Sequence, residues 1–259
     1  MAQASNPFEQ QRPIPGIRDI IAISSGKGGV GKSTVASNLA IALVRAGHRV
    51  GLLDADIYGP SLPRMFGALS QKPEIGADKK LQPIERLGVK LMSIGFLVDE
   101  DLAVVWRGPM LFKAMDQFLH EVNWGELDYL LIDLPPGTGD IQLSLAQKVP
   151  IKGAIAVSTP QNVALTDVKK AIDMWARVSV PVLGIVENMS YMLTPDGTRL
   201  QLFPKGGLDQ YCEDKGFTKL AEIPFEPSVG LGGEAGVPVV FSQASGPVAD
   251  AFTLLASHL

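Results

Sequence analysis

Short apolar runs alternate with longer stretches of helical periodicity along most of the chain. Apolar runs of about four to eight residues without polar alternation are typical of strands buried on both faces. The predicted strands are Ile20–Ser24, Val50–Asp54, Tyr129–Leu134, Ala154–Ser158, Val182–Glu187 and Leu220–Ile223. The predicted helices are Lys32–Ala46, Pro109–Val122, Ile141–Lys148, Ala164–Val178, Leu208–Lys215 and Val248–Ser257. This alternation predicts an α/β fold with a mostly parallel central sheet and helices on both faces.

Two segments depart from this rhythm. Residues 1–16 are polar and end in a cluster of prolines and a glycine, which favours a flexible N-terminal tail. The remaining residues, 17–259, are expected to form one domain. Within that domain, Leu81–Glu85 and Val89–Ile94 alternate in polarity and predict a β-hairpin.

Composition and charge narrow the class of protein. Hydrophobic residues make up 46% and charged residues 19% of the 259 positions, as is typical of a globular protein. The net charge of -4, with no Lys or Arg after Lys219, argues against broad binding to nucleic acid or to anionic membranes. No apolar run approaches the roughly 18 residues of a spanning helix, and no secretory signal is visible, so we expect a cytoplasmic protein. The one cysteine, Cys212, excludes a disulfide within the chain.

A glycine-rich segment follows the first predicted strand. Gly26–Ser33 fits the phosphate-binding pattern G-x-x-x-x-G-K-[ST], and its glycines let successive N–H groups point at phosphate oxygens. The pattern predicts that Lys32 meets the β- and γ-phosphates of ATP and that the Ser33 hydroxyl coordinates Mg²⁺. The alternative is an ordinary glycine-rich turn. The predicted nucleotide-binding residues of this segment are Gly26, Lys27, Gly28, Gly29, Val30, Gly31, Lys32, Ser33 and Thr34.

Carboxylates end the second and third predicted strands. Asp54 and Asp56 close the second strand, at the end where ligands of parallel α/β proteins bind. The alternative for this pair is that one of them caps the turn at Pro60–Phe66. Four apolar residues, Tyr129–Ile132, lead into Asp133, which is the Walker B pattern of an aspartate that holds Mg²⁺ through water.

A second turn rich in glycine and proline follows Asp133. Pro135–Gly139 predicts a constrained turn in which the N–H of Gly137 or Gly139 senses the γ-phosphate. Asp140 either belongs to this turn's function or caps the next helix, and the sequence does not separate the two readings.

Ser25–Thr34 resembles the deviant Walker A motif of the MinD/ParA-like ATPases, in which a second lysine, here Lys27, lies inside the loop. The resemblance implies a homodimer in which Lys27 crosses the interface, touches the other subunit's nucleotide and offsets transition-state charge. It also implies that Asp56 orients the attacking water and that Asp54 belongs to the Mg²⁺ shell. The alternative for Lys27 is a solvent-exposed charge at a loop tip. The predicted catalytic residues are Lys27, Lys32 and Asp56.

Four further motifs resemble one branch of that superfamily, the Mrp/ApbC iron–sulfur cluster carrier ATPases. They occur in the family's order, and the resemblance extends over about residues 18–255: Asp54–Ser61, Trp106–Met110, Asp133–Asp140 and Glu187–Tyr191. The resemblance implies an ATP-dependent carrier that receives iron–sulfur clusters and delivers them to client apoproteins. It also implies that Asn188 hydrogen-bonds adenine, since an amide offers both donor and acceptor. The alternative for Asn188 is an ordinary turn residue after a strand.

The chain departs from that family where the cluster ligands are expected. Many members follow the Asn-Met-Ser motif with C-x-x-C, but Thr194 and Gly197 occupy those two positions here. Neither replaces a thiolate, and Pro195–Gly197 predicts a tight turn between two short extended pieces. Cys212 lies in a helical stretch, where a lone cysteine is usually a small buried hydrophobe. The cluster ligands are therefore unknown, and a cysteine-bearing partner is one source for them.

Another class of function is a MinD/ParA-like switch that dimerises on ATP and binds a surface. A membrane-binding switch of this kind needs a basic amphipathic C-terminal helix, whereas Ala249–Leu259 contains no Lys or Arg. A DNA-binding switch needs basic clusters, which the overall charge does not favour. A small-molecule kinase, the third alternative, would show a lid with several arginines, and none is visible. We therefore expect neither a nucleic-acid nor a membrane partner.

Overall fold

The computed structural model describes residues 11–57, 59–97 and 108–259. The strands in these residues are β1 (Ile17–Ser25), β2 (Val50–Asp54), β3 (Ile84–Arg86), β4 (Val89–Ser93), β5 (Leu127–Asp133), β6 (Gly153–Ser158), β7 (Val182–Glu187), β8 (Met192–Leu193), β9 (Arg199–Leu200) and β10 (Lys219–Glu222). The helices are α1 (Lys32–Arg45), α2 (Leu62–Met65), α3 (Gly108–His120), α4 (Asp140–Lys148), α5 (Asn162–Arg177), α6 (Leu208–Lys215), α7 (Pro227–Glu234), α8 (Val239–Ser242) and α9 (Pro247–Ser257). A short 3₁₀ turn spans Ile94–Phe96.

Eight of these described strands form one sheet in the order β10-β7-β6-β1-β5-β2-β4-β3. All neighbours in it pair in parallel except β3 and β4, which form an antiparallel edge. The predicted α/β architecture with a mostly parallel sheet is confirmed. None of the described helices has both the length and the apolar character needed to cross a bilayer.

Successive residues of β1 bury against opposite layers, as a strand covered on both faces requires. Ile21 and Ile23 pack into the layer that holds α1, α8 and α9. Ile20 and Ala22 pack into the layer that holds α3, α4 and the C-terminal part of α5. The helices therefore cover both faces of the sheet. The loop Gly26–Gly31, called the P-loop below, follows β1, which pairs with β5 on one side and β6 on the other.

The predicted hairpin is confirmed, with its first strand displaced. Its first arm forms at Ile84–Arg86, because Leu81 instead bridges Ile75 and Val122 outside the sheet. Its second arm, β4, also pairs in parallel with β2, so the hairpin completes one edge of the main sheet. Three short helices, α2, α7 and α8, are not predicted by the sequence pattern, and three glycines lower the helix propensity of α7.

Residues 11–16 pack against the domain, although the sequence predicts a flexible tail over residues 1–16. The backbone N–H of Arg12 donates to the carbonyl of Lys148 at 2.8 Å, and the Ile14 side chain is buried beside α3 and α4. Gly16 adopts a φ of 82°, and its carbonyl accepts from the N–H of Leu127. The proline and glycine cluster sets a fixed turn here because Ile14 has an apolar site to fill. Residues 1–10 lie outside the described part of the chain.

A buried hydrogen bond joins α5 to β1 next to the P-loop. The indole N–H of Trp175 donates to the Ser24 hydroxyl at 3.0 Å, and both side chains are fully buried. Trp175→Phe removes this bond and leaves unfilled volume, so we expect the free energy of unfolding to fall by about 1–3 kcal/mol. Urea unfolding followed by circular dichroism measures the change.

Ser24→Ala is the matched control, because it removes the acceptor and keeps the indole. The two losses should not add in the double variant, since both single changes break the same bond. Fully additive losses would contradict this account.

Candidate nucleotide-binding site

The P-loop lies at the carboxyl end of the central strands. β1 ends at Ser25, the loop Gly26–Gly31 follows, and α1 begins at Lys32. This is the end of a parallel sheet at which loops meet and ligands bind. The loop borders a cavity of about 270 Å³ lined by Ser25, Lys27, Gly28, Gly29, Val30, Gly31, Lys32, Ser33, Thr34, Asp56, Gly59, Ser61, Met65 and Pro136. The structure therefore brings nearly all the predicted P-loop residues and Asp56 to one cavity.

Two glycines of the P-loop have no room for a side chain. A Cβ on Gly26 would lie 2.0 Å from the backbone carbon of Asp167 in α5. Gly31 has a φ of 80°, and a Cβ there would lie 2.2 Å from Nδ2 of Asn188. The glycines of the motif are thus required by packing against α5 and β7 as well as by the curl of the loop.

Asn188 fixes the P-loop from the end of β7. Its side-chain Nδ2 donates to the carbonyl of Val30 at 2.9 Å, and its backbone N–H donates to the carbonyl of Ser158. The preceding residue, Glu187, is buried and forms an ion pair with Lys219 at 2.8 Å. Asn188 therefore does more than turn the chain after a strand. Its predicted contact with adenine stays a prediction.

Lys32 lies between two of the predicted carboxylates. Its Nζ is 2.5 Å from Oδ1 of Asp133, 3.9 Å from Oδ2 of Asp56 and 3.3 Å from the Ser33 hydroxyl. Asp133 is fully buried, and its second oxygen has no hydrogen-bond partner among the described residues. Four predicted site residues thus meet at one point, as the end-of-strand positions predict for parallel neighbours.

Asp54 lies beside Asp133 because their strands pair in register at these two residues. Its carboxylate is fully buried and accepts from the N–H groups of Asp56, Ser61 and Leu62 and from the Ser93 hydroxyl, at 3.1–3.2 Å. Asp54 accepts from two N–H groups at the start of the following turn. The alternative in which one of the two carboxylates caps that turn is therefore correct for Asp54. Burial, and after it repulsion from Asp133, raise the pKa of Asp54 to about 7.

The turn after Asp133 is held by the end of β1 and by α4. The N–H of Gly137 donates to the carbonyl of Ser25 at 2.8 Å, so this group is already engaged. Gln142 is buried and donates to the carbonyls of Pro135 and Gly137. Gly139, rather than Asp140, occupies the N-cap position of α4, and Asp140 is the first helical residue. The capping alternative for Asp140 is therefore wrong, because the helix starts one residue earlier than a cap at Asp140 requires.

Sequence reasoning missed the supporting residues Ser61, Ser93 and Gln142. Ser61 belongs to the Asp54–Ser61 motif, which offered a signal for it, whereas Ser93 and Gln142 carry none. In the Trp106–Met110 motif, Trp106 and Arg107 lie outside the described residues.

The positions expected to hold cysteines form a hairpin. β8 and β9 pair antiparallel, and the turn between them is closed by hydrogen bonds between Thr194 and Thr198. The predicted tight turn is confirmed. Cys212 is buried in α6 among apolar side chains, and burial raises the pKa of its thiol. Its behaviour as a small buried hydrophobe is also confirmed.

Comparison with known proteins finds a matching family model and relatives with similar sequences. Residues 16–259 match the ParA family model described as the NUBPL iron-transfer P-loop NTPase. The chain is 48% identical over 255 residues to the iron–sulfur cluster carrier protein of Aquifex aeolicus, which covers 98% of this chain and 70% of that protein. It is 44% identical over 258 residues to the mouse iron–sulfur cluster transfer protein NUBPL, which covers 98% of this chain and 81% of that protein.

Solved structures agree with this match. A nucleotide-binding protein of Archaeoglobus fulgidus in complex with ADP superposes with a TM-score of 0.79 at 38% identity, covering 95% of each chain. The cell division ATPase MinD of Pyrococcus furiosus superposes with a TM-score of 0.67 at 25% identity, covering 93% of this chain and 97% of that one. The chain therefore belongs to the ParA family, as a NUBPL-type iron-transfer P-loop NTPase.

Proposed function

We propose that this protein is an ATP-hydrolysing iron–sulfur cluster carrier that delivers clusters to client apoproteins. The observation that carries the ATPase part is the position of Lys32, held between Asp133 and Asp56 at the mouth of the glycine-rich loop. The names of the relatives from Aquifex aeolicus and mouse support the cargo.

The P-loop is suited to the phosphates of ATP. Backbone N–H groups of its curled segment bind the phosphate oxygens, and Lys32 binds the β- and γ-phosphates. A triphosphate and Asp133 compete for the same ammonium group, because Lys32 Nζ already lies 2.5 Å from Asp133. When Lys32 binds phosphate, Asp133 has a buried negative charge that needs a new cation.

The residues around Asp133 fit Mg²⁺. The orphaned Oδ2 of Asp133 is an oxygen ligand without a partner among the described residues, and the Ser33 hydroxyl lies near the same ammonium group. Mg²⁺ supplies positive charge that offsets the phosphates. Ser33 and Asp133 are therefore the proposed metal residues. Asp54 remains the third, although its oxygens already accept four hydrogen bonds.

Hydrolysis is proposed to need a homodimer. Asp56 borders the cavity beside Lys32 and is placed to orient an attacking water. Lys27 borders the same cavity from inside the loop, and in the dimer its ammonium group reaches the other subunit's nucleotide. One side-chain N–H of Asn188 donates to the carbonyl of Val30. The amide also has a second N–H and a carbonyl oxygen, a donor and an acceptor that suit the edge of adenine.

The cargo's ligands do not come from the hairpin. A [4Fe–4S] cluster needs four ligands, mostly thiolates, and neither Thr194 nor Gly197 provides one. Cys212 is buried in α6, so it is badly placed for an exposed cluster. A client or a cysteine-bearing partner protein is therefore proposed to complete the site.

The alternative function, a MinD/ParA-like switch that dimerises on ATP and binds a surface, has no specific observation in its favour. The last helix, α9, carries Asp250 and no Lys or Arg, so it offers no positive charge to an anionic lipid. Co-sedimentation with liposomes and with DNA separates the two functions, and we expect neither to retain the protein. The carrier is proposed to be cytoplasmic.

Lys32→Ala should weaken Mg²⁺–ATP binding about 100-fold, because charge-assisted hydrogen bonds to phosphate disappear. Isothermal titration calorimetry measures the affinity, and thermal unfolding checks that the variant is folded. Lys170→Ala removes an exposed lysine of α5 and is the matched control, which should bind like the unchanged protein. Unchanged affinity in Lys32→Ala would contradict the nucleotide assignment.

Lys27→Ala should bind ATP but hydrolyse it about 100-fold more slowly, because one transition-state cation is missing. Phosphate release measures turnover, and size-exclusion chromatography with a non-hydrolysable ATP analogue measures dimerisation. We expect Lys27→Ala to stay monomeric, and Asp56→Ala to bind ATP, turn over slowly and accumulate as the dimer. Full activity from a species that remains monomeric would rule out the crossing lysine.

Anaerobic reconstitution with iron and sulfide should leave little cluster on the isolated protein, because the hairpin lacks thiolates. Absorption spectra with iron and sulfide counting measure the yield. The double variant Thr194→Cys and Gly197→Cys should raise it; a Cβ at Gly197 meets nothing within 4 Å, but the φ of 83° there strains a cysteine, so thermal unfolding checks that the double variant is folded. A stable, stoichiometric [4Fe–4S] cluster that survives Cys212→Ala would show that this account of the ligands is wrong.

A further inference from the structure

Ser61 borders the phosphate cavity but lies outside the P-loop in the chain. It lines the cavity together with Asp56 and Gly59, and Lys27, Lys32 and other residues of the loop line the same cavity. Its place is fixed by its backbone, since its N–H donates to Oδ2 of Asp54 at 3.1 Å and its carbonyl accepts from the N–H of Met65 at 3.0 Å. The backbone of Ser61 is therefore anchored independently of its hydroxyl.

The Ser61 hydroxyl has no hydrogen-bond partner among the described residues, although its oxygen is buried. Buried polar atoms are nearly always paired, and an unpaired one costs free energy. Such a group next to a ligand cavity is explained when the ligand supplies the missing partner. Two other buried oxygens of this site lack a partner among the described residues: Oδ2 of Asp133, which belongs to the proposed Mg²⁺ residues, and Oε1 of Gln142.

Ser61 occupies the N-cap position of α2, where a serine hydroxyl normally accepts from the N–H of the second or third helical residue. Here it makes no such bond. The second helical residue is Pro63, which has no N–H, and the N–H of Leu62 goes to Asp54. Asp54 thus accepts the N–H groups of Ser61 and of the first helical residue, Leu62. The Ser61 hydroxyl is therefore an unpaired group in a residue that lines the cavity.

We propose that the Ser61 hydroxyl donates a hydrogen bond to the terminal phosphate of the bound nucleoside triphosphate. The proposal rests on the proposed ATP site. In a P-loop the backbone cradles the inner phosphates, so the lining residues outside the loop, Asp56 and Ser61 among them, are left to the outermost one. A hydroxyl is a donor as well as an acceptor, and only its donor function suits an anion. Ser61 therefore distinguishes a triphosphate from a diphosphate.

Calorimetry with Mg²⁺–AMP-PNP and with Mg²⁺–ADP tests this, using the full chain and the variants Ser61→Ala and Ser61→Thr. Ser61→Ala should weaken AMP-PNP binding about 10- to 100-fold, because a hydrogen bond to a charged group is lost, and leave ADP binding unchanged. Ser61→Thr keeps the hydroxyl and should restore AMP-PNP affinity. Ser257→Ala, on the outer end of α9, is the matched control.

Equal losses for AMP-PNP and ADP would assign Ser61 a structural role and overturn the proposal, as would unchanged affinity for both. Failure of Ser61→Thr to restore binding, with a normal thermal unfolding transition, would also overturn it. If the unchanged protein bound neither nucleotide, the ATP site itself would be refuted. That result differs from every outcome in which the unchanged protein binds and only the Ser61 variants are compared.

Discussion

Three carboxylates crowd the carboxyl end of the sheet, and the ammonium group of Lys32 is what makes that crowding tolerable. Asp54 and Asp133 are fully buried neighbours on paired strands, and Asp56 follows two residues after Asp54. Buried like charges repel strongly, and a buried ion pair that loses one partner costs about 3–5 kcal/mol. Because the cation is the first residue of α1, the charge balance of the site is tied to the fold of the P-loop itself.

Asp54 transmits this constraint to the opposite wall of the cavity. Its four hydrogen-bond donors come from three places: the segment after β2, the start of α2 and the end of β4 through Ser93. These donors favour the ionised carboxylate, but burial and Asp133 outweigh them and raise its pKa to about 7. Asp54 thus positions both Asp56 and Ser61 through hydrogen bonds. It also interacts electrostatically with Asp133. A nucleotide that rearranges Lys32 changes the field felt by all of them.

Local patterns in the sequence were enough for the sheet, the P-loop and the end-of-strand carboxylates. Each of these depends on residues close together in the chain: apolar runs for the strands, the spacing of glycines and lysine for the loop. The failures are contacts between distant residues. No local pattern predicts that Asn188 binds the carbonyl of Val30, that Trp175 binds Ser24, or that Ile14 finds an apolar site. Packing, which acts over the whole chain, decided those positions.

The hairpin after β7 is a part of the fold whose shape does not depend on a cluster. Its turn is closed by hydrogen bonds of Thr194, and Arg199 stacks over the Tyr191 ring at 4.1 Å while pairing with Glu222 at 3.6 Å. Metal-dependent loops lose their shape when their ligands are absent, whereas these contacts need no metal. The same short segment begins at Asn188, which holds the P-loop carbonyl of Val30. Any displacement of the Val30 carbonyl would therefore act directly on the segment that leads into the hairpin. This continuity links the P-loop to the hairpin, so a protein that docked at the hairpin would contact a segment joined to the P-loop.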